Sequence, residues 1–452
     1  MRKHTCLLSV LSVFVLSVPS AGLISHATAS PSPWEKMITK HKWDAIPDNW
    51  ISLGHPPNGT TIKLHIALKA NRENAVVDAL HDVSNPRNLK HVLCAGTPQL
   101  TAYSRVLLDH FRYGAHLSRE QVAELVAPHT DTLELVCSWL KYNGVPQSSI
   151  STTHGGGWLT IPGIPVAQAN KLLGASYELY YHTWSNDTIL RTVSYALPAV
   201  LHMHVNTIAP TTAFTSMRLL QQTPISHSGK EALENVTSRV ASDVLSRVDE
   251  PFVDPAFLRW LYKMPFNNPT PTDENKLGIA GLANTIPSQN DLDIFMASFR
   301  SDVRLSSPLN QIVNVVPVNN GADHRRPPGK QANANTQYSV ALTFPIQIEY
   351  YTIGGRMKTS SDGPEDGDAY IEWLQYMIDL DNVPRTISVP YYTREKDLPQ
   401  QYASSVCRLF ELLGARGVSI LVASGDHGVG LDTIRRRFEF STSFPASCAC
   451  GV

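Results

Sequence analysis

Apolar positions along this chain follow two regimes. From about residue 31 to 205, short alternating runs mix with short helical ones. Ile62, Leu64, Ile66 and Leu68 alternate with polar neighbours, the period of a strand covered on one face. Residues 74–83 carry a helical pattern that closes at Ser84-Asn85-Pro86. Ser118-Arg119-Glu120-Gln121 forms a capping box, and the helix it starts stops at Pro128. A further helix starts at Asp131 and ends at Asn143-Gly144. Residues 158–161 and 177–182 read as strands, and 165–173 as a helix stopped by Gly174. The mixture predicts a small α+β unit over 31–205.

The second regime begins near Pro251. Apolar runs at 277–282, 312–318, 346–353, 386–389 and 418–422 alternate with helical stretches at 291–299, 333–342, 369–380 and 400–413. Such alternation predicts βαβ units and a mostly parallel sheet. Residues 206–250 are polar and rich in Ser and Thr, and read as a linker.

The chain has 452 residues, too many for one ordinary domain, and 42% are hydrophobic, enough for sizeable cores. A net charge of −1 gives no electrostatic case for nucleic acid or an acidic membrane. The N-terminus reads as a secretory signal over 1–29: Arg2, Lys3 and His4 precede an apolar run at 7–18 that is too short to span a bilayer, then small residues. No later run is long and apolar enough for a span. The expectation is a secreted, extracellular protein, and Asn58, Asn186 and Asn235 stand in glycosylation triplets. Of six cysteines, Cys6 leaves with the signal; the odd remainder requires at least one thiol outside an internal disulfide, and Cys448-x-Cys450 reads as part of an abnormal end.

Candidate chemistry concentrates at the 418–422 strand. It runs into Ser424-Gly425-Asp426-His427-Gly428, a Gly-flanked carboxylate at a strand end. The plainer alternative is a capping Asp in a tight turn. Elsewhere the signals are weak. His202-Met203-His204 reads as a structural pair on a strand, with no third metal ligand. Arg435-Arg436-Arg437 reads as a solvated charge run, and Gly155-Gly156-Gly157 as a turn without phosphate-loop context. No metal site is expected.

The segments around SGDHG at 424–428, RYGAHLSREQVAELVAPHTDTLELVCSWL at 112–140, FLRWLYKM at 257–264, KLGIAGLAN at 276–284 and FPAS at 444–447 together resemble the sedolisin, or serine-carboxyl peptidase, family, in its fungal tripeptidyl-peptidase branch. The resemblance implies an α+β activation prodomain over 31–205, followed by an α/β subtilisin-like domain with a mostly parallel sheet from 251. Residues 88–111 match nothing in that pattern and read as an atypical insertion. The resemblance also implies peptide or protein substrates, acidic working pH, and the chain's own prodomain as a partner.

Sedolisin-type catalysis needs a Ser nucleophile, a Glu base tuned by an Asp four residues on, and a second Asp at the oxyanion. A spacing of four stacks Glu and Asp on one helical face. The resemblance places the oxyanion group at Asp426. At the Glu and Asp positions this chain has amides, Gln331 and Asn335, in the run Gln331-Ala332-Asn333-Ala334-Asn335-Thr336-Gln337-Tyr338. The plainer alternative is an ordinary solvated helix face. No Gly-Thr-Ser motif for the nucleophile follows, and the family's calcium site would lie in a C-terminal segment this chain lacks, so the peptidase domain is expected to be truncated and no cofactor is expected here. Three readings result: a proenzyme inactive or badly impaired as a peptidase, a non-catalytic relative whose prodomain binds or inhibits an active paralogue, and a truncated gene product.

Overall fold

The computed structural model describes residues 32–84, 114–183, 185, 187–215, 218–219, 253–265, 269–271, 275–303, 312–322, 328–354, 365–425 and 442–448. The signal region and 88–111 therefore lie outside the described residues. Among those described, no helix is long and apolar enough to cross a membrane.

The N-terminal unit is built on strand β1 (Thr61–Leu68), which pairs antiparallel with β2 (Trp158–Pro165) on one side and β3 (Val205–Ala209) on the other. Helices α1 (Ala75–Ser84), α2 (Arg119–Val126), α3 (Thr130–Tyr142) and α4 (Val166–Leu173) accompany it. Local signals set their ends. Ser118 and Gln121 form the capping box of α2. Gly174, at φ +53°, ends α4 in the left-handed region that glycine adopts without penalty. One core lies within this unit and includes Ile62, Leu64, Ile66, Trp139, Leu172 and Tyr177.

Two expectations change here. The expected linker begins later than residue 206, because β3 belongs to the N-terminal sheet. Thr207, Thr211, Thr212 and Thr215 made this stretch read as polar, yet all four are buried, as are Ile208, Ala213 and Phe214. The His202–His204 pair lies in a turn, not on a strand. His202 Nε2 meets the Ile38 carbonyl and His204 Nδ1 meets the Thr132 hydroxyl, both structural roles.

The second unit is a five-stranded parallel sheet. Its strands are β4 (Lys276–Gly281), β5 (Val313–Val318), β6 (Gln347–Ile353), β7 (Thr386–Val389) and, after β8 (Tyr391–Arg394) which lies outside it, β9 (Ser419–Val422). Their order across the sheet is β5-β6-β4-β7-β9. Helices α6 (Gln289–Phe299) and α7 (Lys330–Thr343) contribute to a core with Ile279, Ile348 and Tyr350. A short α5 (Pro255–Leu261) precedes them. Helices α8 (Ala369–Asp379) and α9 (Gln400–Ala415) pack with Ala280, Tyr351 and Ile387. Alternate strand residues thus feed different helix layers, as helices on both faces of a parallel sheet require.

The α8–α9 core also takes in Ala67, Val76, Val122, Trp158 and Ala213 from the N-terminal unit, so the two units share it. This explains a departure from the half-covered strand expected at β1. Its polar face is covered too: His65 is 1% exposed. Glu372 of α8 sits over it, 2.9 Å from His65 Nε2 and 3.0 Å from Lys63 Nζ. Thr160 Oγ1 completes the cluster at His65 Nδ1. Backbone bonds reinforce the docking, Leu117 N–H to Ala415 O at 2.9 Å and Phe214 N–H to Asp397 O at 3.2 Å. A disulfide joins Cys407 of α9 to Cys448, which corrects the view of Cys448 as part of an abnormal end. Cys137 lies outside any disulfide.

Burial alone would raise the Glu372 carboxyl, but His65 and Lys63 outweigh it and hold the group below the ordinary glutamate range. A depressed carboxyl stabilises the folded protein fully above its ordinary value and loses that contribution as pH falls through the folded value. Glu372→Gln should therefore cost about 1–3 kcal/mol at pH 7, with the deficit shrinking once pH falls below the ordinary glutamate range. Urea unfolding of both proteins across pH 3–7 reads this directly, and a deficit independent of pH contradicts it.

Candidate active site

In an open parallel sheet, ligands sit at the carboxyl ends of the strands where the chain reverses its direction of winding. Here β6 lies on one side of β4 and β7 on the other, so that place is the β4–β7 boundary. Helix α7 begins there. Its cap residue, Gly329, donates its N–H to the Ile286 carbonyl just beyond β4. A Cβ at Gly329 would approach Thr285 Cβ to 2.7 Å, so only glycine permits this contact.

Gln331, in the first turn of α7, is 6% exposed. Its Nε2–H donates to the Pro390 carbonyl, just past β7, at 3.1 Å. The first turn of α7 thus ties the exit of β4 to the exit of β7. Gln331 Oε1 has no partner among the described residues; nor do Asn335 Nδ2, Thr336 Oγ1 and Thr393 Oγ1, all buried. A buried polar atom left unpaired costs about 1–3 kcal/mol. The solvated helix face is therefore wrong for Gln331.

Other polar residues of α7 are structural. Asn333 accepts from Ser288 N–H at 2.6 Å and donates to Asp291 Oδ2 at 2.6 Å. Gln337 donates to the Asp291 carbonyl at 3.2 Å, and Tyr338 to the Val253 carbonyl at 2.6 Å. These bonds hold α7 against α6 and the start of the unit. Gln331 and Asn335, one helical turn apart, take no part in them.

Ser424 and Gly425, the described part of the 424–428 motif, follow β9 at the same end of the sheet. Gly425 adopts φ +94°, and a Cβ there would sit 3.0 Å from Ser443 Oγ and 3.3 Å from the Tyr392 ring. Pro390, which receives Gln331, and Tyr392, which packs on Gly425, are neighbours at the start of β8. Asp426 itself lies outside the described residues, as do Asn186, Asn235 and 435–437. Asn58 is exposed in a turn. No group of three or more His, Cys, Asp or Glu side chains suited to a metal ion occurs among the described residues.

Sequence reasoning missed the Pro390 carbonyl, Thr336 and Thr393. The Pro390 contact joins positions far apart in the chain and has no local pattern. A threonine one position beyond Asn335 on an otherwise short-side-chain helix is no signal by itself.

The comparisons with known proteins bear on this geometry. The family model described as pro-kumamolisin, activation domain, matches residues 99–214, ending where the buried Phe214 closes the N-terminal unit. Tripeptidyl-peptidase SED2 of Arthroderma otae is 26% identical over 450 residues, covering 94% of this chain and 68% of that protein. A probable tripeptidyl-peptidase SED3 of Trichophyton verrucosum is 27% identical over 427 residues, covering 89% of this chain and 64% of that protein. The chain is thus similar over most of its length to tripeptidyl-peptidases, and its N-terminal unit to a pro-kumamolisin activation domain. The carboxyl end of the parallel sheet is the place to test for peptidase chemistry. The family model begins at residue 99, inside the stretch that read as an insertion.

Restoring the carboxylates tests the site. Q331E/N335D would place a buried and a half-buried acid a helical turn apart, and burial and mutual repulsion would raise their pKa values. Raised carboxyls favour the fold below their ordinary values and disfavour it as pH rises. The double variant should match the parent near pH 4 and be less stable by about 2 kcal/mol or more at pH 7. Thermal unfolding at both pH values checks this; equal stability at both places the pair in solvent.

Proposed function

We propose that this chain is a secreted sedolisin-type relative of the tripeptidyl-peptidases, carrying its activation domain, whose peptidase chemistry is lost or badly impaired at the general base. The observation that carries this reading is Gln331. It stands where the family resemblance puts the glutamate base, is buried, and commits its one donor group to the Pro390 carbonyl. A carboxylate can take the proton of an attacking serine; an amide oxygen is too weakly basic. Loss of general-base help costs about 10²–10⁴-fold. Asn335 removes the second carboxylate that would tune the first.

Other features fit. The basic-then-apolar N-terminus and the Cys407–Cys448 disulfide suit an oxidising, extracellular setting. The parallel sheet with helices on both faces suits a subtilisin-like domain. The Glu372 cluster suits an acidic environment as the condition in which the activation domain loosens.

A non-catalytic binding role has its own support. The N-terminal unit has a core of its own, including Ile62, Leu64 and Trp139, which needs none of the peptidase groups. It presents Lys63 and His65 to a carboxylate on the neighbouring unit. A relative offering the same face would be held in the same way, with the activation domain acting as inhibitor or folding aid.

The test compares tripeptide release at acidic pH by this chain, by the Arthroderma otae relative, and by that relative carrying Gln and Asn at the positions aligned with Gln331 and Asn335. The chain and the doubly substituted relative should both fall at least ~10²-fold below the parent relative. A substituted relative that keeps its full rate overturns the base assignment. Tripeptide release by this chain at the parent's rate overturns the impairment altogether. Inhibition of the relative by a stoichiometric amount of this chain is the outcome expected of the binding role.

A further inference from the structure

Helix α5 turns apolar side chains outward. Its inner side is fixed to α7: the buried Arg259 donates to the carbonyls of Ala341 and Leu342, and the Tyr338 hydroxyl donates to the Val253 carbonyl at 2.6 Å. On the outer side Val253, Trp260, Leu261 and Tyr262 are exposed, Tyr262 to 71%. Phe257 packs on Trp260, with ring centroids 5.8 Å apart. Phe257, Trp260 and Leu261 are spaced i, i+3, i+4 and so share one stripe of the helix. Single apolar side chains at a surface are ordinary, but a contiguous group of aromatic and aliphatic ones marks a contact.

The chain that leads into α5 carries a matching stripe. Residues 220–252 lie outside the described residues and end where Val253 begins. In their sequence Ser228-Gly229-Lys230-Glu231 is a capping box, and Pro251 is a stop. Between them Leu233, Val236, Val240, Val244 and Val248 recur every three or four positions. At the helical turn of 100° per residue these five share an arc of about 120°, and Asn235, of the glycosylation triplet, falls on the opposite side. Two arguments favour this segment over a second copy of the chain as the cover of α5. Only residues 249–254 separate the two stripes, a length typical of the connection between antiparallel helices. The outward group on α5 is also far smaller than the roughly 20–30 residues a side that a stable interface between copies uses.

We propose that residues 229–248 form a helix that docks on α5 as the first arm of a helical hairpin. Val248 and Val244 meet Val253 and Phe257, and Val240 meets Trp260 and Leu261, in the order that antiparallel arms require. The arm belongs to the stretch that joins the two units, so its docking decides which part of that joint a protease can cut. Arg239 and Arg247, held in a docked helix, resist cleavage, which falls instead before Ser228. The hairpin needs no peptidase chemistry and stands whatever the role of Gln331 and Asn335.

Trypsin digestion of the full chain, with the fragments identified by mass, tests the proposal. Trp260→Ser, at an exposed position, should speed cleavage at Arg239 and Arg247 at least ~10-fold while the rest of the chain stays folded. Val240→Asp should do the same. Val240→Cys combined with Leu261→Cys should give a disulfide within one chain. Equal cleavage rates in the parent and both variants, or no link within one chain, overturns the proposal. A parent that is dimeric in solution and turns monomeric on Trp260→Ser assigns the stripe to a second copy and also overturns it. So does binding to phosphatidylcholine vesicles that Trp260→Ser abolishes, which assigns the stripe to a membrane.

Discussion

The carboxylate of Glu372 is the constraint on which the docking of the two units depends. It is enclosed between α8 and β1, and a buried carboxylate survives only where cations and donors meet it. Lys63 and His65 supply them from alternate positions of β1, on the face turned away from the N-terminal core. One residue of slip along β1 would send Lys63 and His65 into that core and bring Leu64 and Ile66 against the charge. The register of β1 against α8 is thus fixed by electrostatics on one face and by apolar packing on the other. The shared apolar core supplies most of the attraction; the ion cluster decides how the surfaces meet.

The same division runs through α7. Its polar residues fall into pairs one turn apart. Asn333 and Gln337 are satisfied by Ser288 and Asp291 and position the helix. Gln331 is buried and Asn335 half-buried, and each has a buried polar atom without a partner among the described residues. A helix holding unpaired polar atoms in its interior gives up stability that Leu or Met at the same places would retain. Such a cost is carried at places shaped for a function. The first turn of a helix also favours negative charge through its dipole, so an amide at Gln331 forgoes an interaction that a glutamate there would make.

Much of this was legible from local pattern. The five apolar runs of the second unit became its five parallel strands, and the Ser118–Gln121 box and Gly174 set helix ends where the sequence placed them. What escaped has a common physical cause. Thr207, Thr211 and Thr212 are polar by composition, yet tertiary packing buries them, so a strand and a buried turn read as linker. His65 and Lys63 read as the wet side of β1 because their partner, Glu372, is more than three hundred residues away. At the site, the amides could be named from the resemblance, but the Pro390 carbonyl that holds Gln331 could not, since a backbone acceptor carries no residue-type signal.

Glu372 stands at the joint between α8 and β1, so its charge acts on the contact between the two units. Protonation of Glu372 weakens the hold of β1 on α8, while the apolar core that both units share is indifferent to pH. The charged cluster is therefore the part of the interface that acid loosens. The interface, rather than the amide-bearing α7, is where this chain holds groups able to respond to the acidity of its surroundings.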